Sequence, residues 1–191
     1  RKAISVKELC ELYIKELEEG RILGKGGRPK KASTKITDLG RINRHIIPLL
    51  GKKPVTHVTK ADVTAMMKDI MAGKTRTSEK TKKLRGKSIV RGGLGAASRT
   101  VGLLGGIFTY ARDELGIIEL NPAHGVRKPK DVVRTRRLNE DEYRSLGRIL
   151  TKAAEDERYT RIVDIIRLIA MSGCRRGEII ELQKVEIDSV G

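Results

Sequence analysis

The chain has 191 residues, enough for one domain and part of a second, because domains typically hold about 100 to 150 residues. Its 41 Lys and Arg against 24 Asp and Glu give a formal net charge of +17, and no apolar run has membrane-spanning length or a signal-peptide pattern. This charge favours a polyanionic partner, with nucleic acid first, and no membrane. The two cysteines, Cys10 and Cys174, are too far apart in sequence to indicate a disulfide framework, which favours a reduced, cytoplasmic setting.

The charge is unevenly placed along the chain. Residues 1–137 carry 32 basic and 13 acidic side chains, a net +19, whereas residues 138–191 carry 9 and 11, a net −2. Aromatic residues make up only 3% of the chain, so base stacking on a single strand is disfavoured and duplex is the better partner. We predict a DNA-binding domain over residues 1–126, a basic linker over 127–137, where prolines break the periodicity, and a second domain from 138 to 191.

Helical patterns dominate the first region, and strand patterns are nearly absent. Ser5 and Glu8 predict a capping box for a first helix that ends at Gly20, and the Gly-rich residues 21–32 predict a loop. A third helix is predicted between a Thr59 cap and Gly73, with its methionines filling the core.

The second helix is predicted to open near Ser33 or Thr34 and to end by Gly51. Its predicted buried face consists of Ile36, Leu39, Ile42 or Asn43, Ile46 and Leu49. Residues 74–91 hold eight Lys or Arg and one Glu without an apolar period, which predicts a mobile basic segment.

A fourth and longest helix is predicted from Leu94 to Leu115, with Leu94 on the buried face. Glycine costs a helix interior about 1 kcal/mol relative to alanine, so Gly102, Gly105 and Gly106 predict close helix packing.

In the second region, Asn139 and Glu142 predict a capping box for a helix that runs to about Ala154. Another helix is predicted from about Arg158 to Met171. Its inward residues are predicted to be Ile162, Ile165 or Ile166, and Ile169.

The stretch "MSGCRRGEII", residues 171–180, predicts a corner between two helices. Gly173 lets one helix end and another begin near Cys174, which places Arg175 in the first turn, with Glu178 three residues on to hold it. A guanidinium fork matches two nonbridging phosphate oxygens, so Arg175 is a candidate for phosphoryl-transfer chemistry. The alternative is an ordinary surface ion pair.

Basic stretches and exposed hydroxyls at helix starts are candidates for contacts with duplex phosphates. These residues are Lys30, Lys31, Ser33, Lys35, Arg41, Arg44, Lys80, Lys82, Lys83, Arg85, Lys87, Arg91, Ser98, Arg99, Arg127, Lys128, Arg136 and Arg137. His45, His57 and His124 lack metal-ligand spacing, and the sequence has no complete phosphate-binding loop, so neither a metal nor another cofactor is expected.

The chain resembles the tyrosine recombinases of the phage-integrase type. "MSGCRRGEIIELQKVEID" is similar to their first catalytic box, T-G-x-R-x-x-E-[LI]-x-x-L, with Ser172 in place of the common Thr. "GAASRTVGLLGGIFTYARDELGIIELNPAHGV" resembles the last helix and exit segment of their core-binding domain, including its "NP". "ITDLGRINRHIIPLLGKKPVTHVTKADV" resembles the helix, "LG" break and "VT..DV" helix of the same domain.

This resemblance implies a mainly α chain: a helical, SAM-like core-binding domain followed by the helical opening part of an α+β catalytic domain. It implies site-specific recombination of duplex DNA, for a phage or mobile element, through a phosphotyrosyl intermediate. Arg175 would contact the scissile phosphate and Glu178 would support it. The implied partners are duplex DNA, three further protomers in a tetramer, and accessory DNA-bending proteins, in a bacterial or phage-encoded setting.

The family's downstream elements, including the nucleophilic tyrosine, have no counterpart in this sequence. Tyr13, Tyr110, Tyr143 and Tyr159 all precede Arg175, so the nucleophile is unknown and the chain alone is expected to bind DNA without cutting it. Two alternatives remain open: a noncatalytic DNA-binding regulator or accessory factor with the same helical clamp, and a type IB topoisomerase-like enzyme.

Overall fold

The computed structural model describes residues 3–24, 26–81, 84–130 and 135–186, and its contacts divide the chain into two units, residues 1–132 and 133–191. The functional assignment of the predicted domains stays a prediction. Among the described helices, none combines the length and the apolar character that crossing a bilayer requires.

Helix α1 (Val6–Glu18) begins at the predicted capping box. Ser5 Oγ accepts from the Glu8 backbone N–H at 3.2 Å, and the Glu8 carboxylate accepts from the Ser5 backbone N–H at 2.7 Å. The helix buries its apolar face and ends before Gly20, whose φ of +79° is a conformation that glycine adopts most readily.

One helical stretch runs from residue 32 to residue 50, but it is not a uniform α-helix. It comprises α2 (Ala32–Arg41), a π-helical turn (Ile42–Ile46) and α3 (Ile47–Leu50). A π turn inserts an extra residue and rotates the two flanking α segments relative to each other. The predicted buried position of Ile36 is therefore wrong, because Ile36 is 71% exposed and Asp38 takes the inward position.

Helix α4 (Lys60–Met71) follows a 3₁₀ turn (Val55–His57) and has the predicted Thr59 cap. The Thr59 cap pairs with Asp62 in a second capping box, and Lys53 binds the same carboxylate at 2.6 Å. These hydrogen bonds, that from Lys53 first, lower the pKa of Asp62 to about 2.

A β-hairpin lies between α4 and the next helix, where the sequence predicts no regular structure. Strand β1 (Thr77–Lys80) pairs antiparallel with β2 (Lys87–Val90). The prediction of a mobile basic segment is therefore wrong for these two strands. Four-residue strands are too short for a clear period, and their pairing depends on contacts across the turn. Lys82 and Lys83 lie outside the described residues.

Helix α5 (Leu94–Asp113) confirms the long fourth helix, although Leu94 itself is 47% exposed at its first position. The prediction that its glycines serve close helix packing is wrong: a Cβ on Gly102 or Gly106 would meet nothing within 4 Å, and one on Gly105 would make only ordinary contact with Ala123.

The core of the first unit lies between α1, the stretch 32–50, α4 and α5. Its largest fully buried side chains include Phe108, Leu9, Leu17, Ile42, Ile46, Met66, Ile70, Leu104 and Ile107. Tyr13 and Tyr110 meet edge to face with ring centroids 5.8 Å apart.

The second unit contains α6 (Glu140–Ala153), α7 (Thr160–Ser172), α8 (Arg176–Ile180) and a 3₁₀ turn (Lys184–Glu186). The Asn139–Glu142 capping box is confirmed. The predicted inward position of Ile162 is wrong, because Ile162 is 53% exposed and the neighbouring Val163 is buried.

The residues "NP" hold the exit of the first unit against α5. Asn121 Nδ2 donates to the Gly105 carbonyl at 2.8 Å and to Thr109 Oγ1 at 3.1 Å, and Asn121 Oδ1 accepts from the Ala123 N–H at 2.9 Å. Pro122 follows directly, and its ring fixes its own φ and restricts the backbone of Asn121. One side chain therefore satisfies three polar groups where the chain leaves the helix.

We predict that Asn121→Ala lowers the free energy of unfolding by about 1–3 kcal/mol, because part-buried partners lose their hydrogen bonds. Urea denaturation followed by circular dichroism measures the change. The exposed Asn43 provides the control, and Asn43→Ala is expected to change stability by less than about 0.5 kcal/mol. Equal effects of the two substitutions would contradict the role of Asn121.

Candidate nucleic-acid interface

The hairpin is tied to the helical body by Arg44, which projects from the π turn. Its guanidinium binds the Glu79 carboxylate at 2.8 Å and donates to Thr77 Oγ1 at 3.1 Å. The hydrogen bond from Arg44 lowers the pKa of Glu79 below its ordinary value. Arg44, a predicted DNA contact, thus holds β1 and neutralises the acidic side chain of the strand.

A second tie is buried beneath the first. His45 Nδ1 and Thr75 Oγ1 are 2.6 Å apart, and both side chains are almost fully buried. Burial of the imidazole, and secondarily the positive charge of Arg41, lower the pKa of His45 below its ordinary value. The π turn presents both Arg44 and His45 to the segment that leads into the hairpin.

The other end of the hairpin closes against α4. Gly92 has a φ of +77°, and a Cβ there would overlap the carbonyl oxygen of Ile70. The Gly93 N–H donates to the same carbonyl at 3.1 Å, and α5 starts at the next residue. The hairpin is thus fixed at one end by the π turn and at the other by α4.

Two of the predicted phosphate contacts are engaged inside the first unit. Lys30 Nζ binds Asp38 at 2.8 Å and donates to Tyr13 Oη at 3.1 Å, and Arg41 reaches the other oxygen of Asp38 at 3.1 Å. Burial of Lys30 opposes its charge, but the hydrogen bonds to Asp38 and Tyr13 outweigh that effect and raise its pKa. Lys30 and Arg41 therefore each make at least one ion pair that stabilises the first unit.

The remaining predicted contacts differ in how far they reach solvent. Lys35 and Ser98 are half-buried, and Lys35 donates to the Glu18 carbonyl at 3.2 Å. Arg136 is exposed but pairs with Glu142. The exposed members of the set are Lys31, Ser33, Lys80, Arg85, Lys87, Arg91, Arg99, Arg127, Lys128, Arg136 and Arg137. Whether any of these residues contacts DNA stays a prediction.

The corner after α7 forms as the sequence predicts, with one shift. Gly173 adopts a left-handed conformation (φ +67°) and its N–H donates to the Ile169 carbonyl at 3.0 Å. The Ser172 hydroxyl donates to the Leu168 carbonyl at 2.6 Å and accepts from the Cys174 N–H at 3.2 Å. A hydroxyl at position 172 therefore holds the turn on both sides.

Arg175 caps α8 instead of lying in its first turn, because the helix begins at Arg176. The Glu178 carboxylate accepts from the Arg175 backbone N–H at 2.8 Å and from its guanidinium at 3.0 Å. These two hydrogen bonds, the backbone one first, lower the pKa of Glu178. The Arg175 side chain is still 88% exposed, so an anion can approach it.

This corner supplies one cation and one supporting carboxylate. A guanidinium held from one side by a carboxylate keeps donors for phosphate oxygens on its other side. Among the described residues, no group of three or more His, Cys, Asp or Glu could hold a metal ion. The arrangement is suited to electrostatic stabilisation of an anion.

The chain is similar to solved structures of lambda integrase. The chain matches a lambda integrase dimer bound to a COC′ core site with a TM-score of 0.67 at 21% identity, covering 98% of this chain and 44% of that one. The chain therefore has the fold of this integrase. It also matches a lambda integrase tetramer bound to a Holliday junction, with a TM-score of 0.68 at 21% identity, covering 98% of this chain and 46% of that one.

A third lambda integrase structure, of residues 75–356 in a dimer on a COC′ core site, matches with a TM-score of 0.68 at 22% identity, over 97% of this chain and 56% of that one. The chain thus spans about half the length of these integrase chains. No protein-family model matches the sequence, and no curated protein matches it either. The mainly α, integrase-type fold expected from the sequence is confirmed.

We predict that stability falls as the pH drops below about 6.5, because the unfolded chain then binds a proton that buried His45 resists. The contribution is complete above the unfolded pKa and is lost towards the lower folded pKa. Urea denaturation at about pH 7.5 and about pH 5 measures this dependence. His45→Gln should reduce it, whereas His57→Gln, at an exposed position, should leave it unchanged. An unchanged dependence in His45→Gln would contradict the assignment.

Proposed function

We propose that this chain is the core-binding domain and the opening part of the catalytic domain of an integrase-type tyrosine recombinase. The first unit would bind duplex DNA, and the second would supply Arg175 to the scissile phosphate. The observation that carries the proposal is the exposed guanidinium of Arg175, held by Glu178 at a helix corner in a recombinase fold. The lambda integrase structures that the chain matches are bound to a core site or to a Holliday junction.

Charge supports the DNA-binding part of this proposal. The exposed predicted contacts are all Lys or Arg except Ser33, and they lie in a region with a net charge of +19. Several charges that would repel phosphate are neutralised internally: Asp38 by Lys30 and Arg41, and Glu79 by Arg44. These contacts involve three cations and two acids, so the other side chains of residues 1–137 still carry a net charge of +18.

The geometry at Arg175 supports the catalytic part. Glu178 engages the Arg175 backbone and guanidinium together, so the side chain is restrained before an anion arrives. A restrained donor stabilises developing charge without reorganising during the reaction. A regulator that only binds DNA has no need of such a restraint, so this contact favours the enzyme over the noncatalytic alternative.

The assembly and the chemistry follow from the same proposal. In the intact protein a tyrosine outside this sequence would attack the phosphodiester, and four protomers would act on two duplexes. Accessory DNA-bending proteins would assist the assembly, and no cofactor would be required. The protein would be bacterial or phage-encoded and would act on DNA in the cytoplasm.

The first prediction concerns binding. Because many phosphate contacts release many counterions, the duplex affinity of this chain should fall by at least about 10³-fold between 50 and 200 mM salt. Fluorescence anisotropy with a labelled duplex measures this. A flat response to salt would contradict the clamp.

A variant of the hairpin tests the same phosphate contacts. Removing the charges of Lys80, Lys82, Lys83 and Arg85 together should weaken binding to all duplexes by a similar factor and reduce the salt slope by about 3 to 4. Loss at one sequence only would contradict a role in phosphate contact.

The second prediction concerns chemistry and applies to the full-length protein. Arg175→Ala should reduce covalent capture of a nicked duplex by about 10²-fold or more, with little loss of binding, because the guanidinium acts on charge that develops in the transition state. Gel analysis of the covalent product and anisotropy on the same duplex separate the two effects.

The matched control is Arg176→Ala, which removes the neighbouring exposed arginine at the first position of α8. It should retain capture. Glu178→Gln should lose less capture than Arg175→Ala, since it weakens the support without removing the cation. If Arg175→Ala lost binding and capture to the same extent, Arg175 would be a binding contact only.

A further inference from the structure

The two faces of the hairpin carry different side chains. In the cross-strand register Thr77 faces Val90 and Glu79 faces Ser88, and this face carries the contacts of Arg44 with Thr77 and Glu79. Side chains alternate between faces along a strand, so the next pairs in the register belong to the opposite face. These are Ser78 with Ile89 and Lys80 with Lys87, and all four residues are exposed.

The outer face carries a feature that destabilises an isolated hairpin. Lys80 and Lys87 lie directly opposite each other in the ladder. Like charges at directly opposed positions repel, and no acidic residue occupies the outer face to separate them. An anion bound between the two ammonium groups would relieve this repulsion.

The turn of the hairpin shows two further features. Leu84 is 95% exposed, the most exposed of the large hydrophobic residues described. Its neighbour Arg85 has a φ of +57°, a left-handed conformation that costs a residue with a Cβ roughly 1–2 kcal/mol. Gly86 comes next and closes the turn by accepting from the Thr81 N–H at 2.9 Å. A strained arginine and an exposed leucine at one turn point to a function for both side chains.

We propose that this hairpin enters the major groove of duplex DNA, with Lys80, Arg85 and Lys87 on the phosphates and Leu84 against the base edges. The proposal rests on the proposed DNA-binding function and assigns a base contact to a residue outside the predicted phosphate contacts. A two-stranded ribbon fits a groove about 12 Å wide, and an apolar side chain there contacts the C5-methyl group of thymine. The anchors at Arg44, His45 and Gly92 give the ribbon a fixed direction.

Charge distinguishes this partner from an apolar protein surface. The exposed leucine lies among cations on the strand ends, and the only acid of the two strands is turned to Arg44. A partner must therefore be polyanionic at its rim and apolar at its floor. The major groove, with phosphates at its edges and thymine methyl groups inside, has this chemistry.

The experiment measures duplex affinity and its salt slope for single variants of this chain by anisotropy. Leu84→Ala should weaken binding by about five- to tenfold without changing the salt slope, because leucine releases no counterion. Leu120→Ala, at a leucine that is 83% exposed elsewhere in the first unit, is the matched control and should bind like the wild type. Equal affinities of these two variants would overturn the proposal.

Two further measurements separate base contact from phosphate contact. In an A·T duplex, replacing thymine by uracil removes the methyl groups, and this should weaken the wild type but not Leu84→Ala. Arg85→Gly should keep or raise stability in urea, since glycine accepts the left-handed conformation, while it lowers affinity and reduces the salt slope by about 1. An equal response of wild type and Leu84→Ala to uracil would overturn the base contact.

The outcomes also separate this proposal from the proposed function. Steep, salt-dependent binding by the wild type together with an unaffected Leu84→Ala would reject the groove contact and leave DNA binding intact. A wild type that does not bind duplex at all would reject both.

Discussion

A left-handed turn at one glycine determines what the second unit can do. Gly173 ends α7, Ser172 holds the turn through its hydroxyl, and Arg175 becomes the cap of the next helix. Its guanidinium is then exposed, yet bound to Glu178 from one side. A guanidinium in the middle of an exposed helix face populates several rotamers. The Arg175 guanidinium is restrained by the Glu178 carboxylate, which also accepts a hydrogen bond from the Arg175 backbone N–H. The phosphate chemistry that we propose depends on this restraint.

The first unit meets a different requirement, which is to pack a strongly cationic chain without losing its surface charge. Its core is apolar, and the acids Asp38 and Glu79 are paired with basic side chains of the same unit. The π turn contributes to both tasks, because it places Arg44 and His45 side by side against the segment that begins the hairpin. The hydrogen bonds of Arg44 and His45 within the first unit therefore hold the basic hairpin in one orientation.

Much of the helical framework could be predicted from local sequence, since caps and glycine ends act over three or four residues. The boxes at Ser5, Thr59 and Asn139 show this. The exposure of Ile36 could not, because a π turn changes the helical period and leaves no simple pattern. The hairpin is not predictable from local sequence either, because its strands pair across a turn and short polar strands carry a weak alternation. At the candidate site, the sequence predicted the pairing of Arg175 with Glu178, but not the internal engagement of Lys30 and Arg44.

The most direct test of a guanidinium that acts on phosphate charge removes the charge from the DNA. A methylphosphonate at the cleavage position replaces one nonbridging oxygen by a neutral methyl group, so a cation is no longer required there. Covalent capture by full-length wild type and Arg175→Ala is compared on phosphate and methylphosphonate duplexes. On the phosphate duplex, Arg175→Ala is expected to capture less DNA than the wild type. The account predicts that this ratio of wild-type to variant capture falls by about 10-fold or more on the methylphosphonate duplex. The same ratio on both duplexes would contradict it.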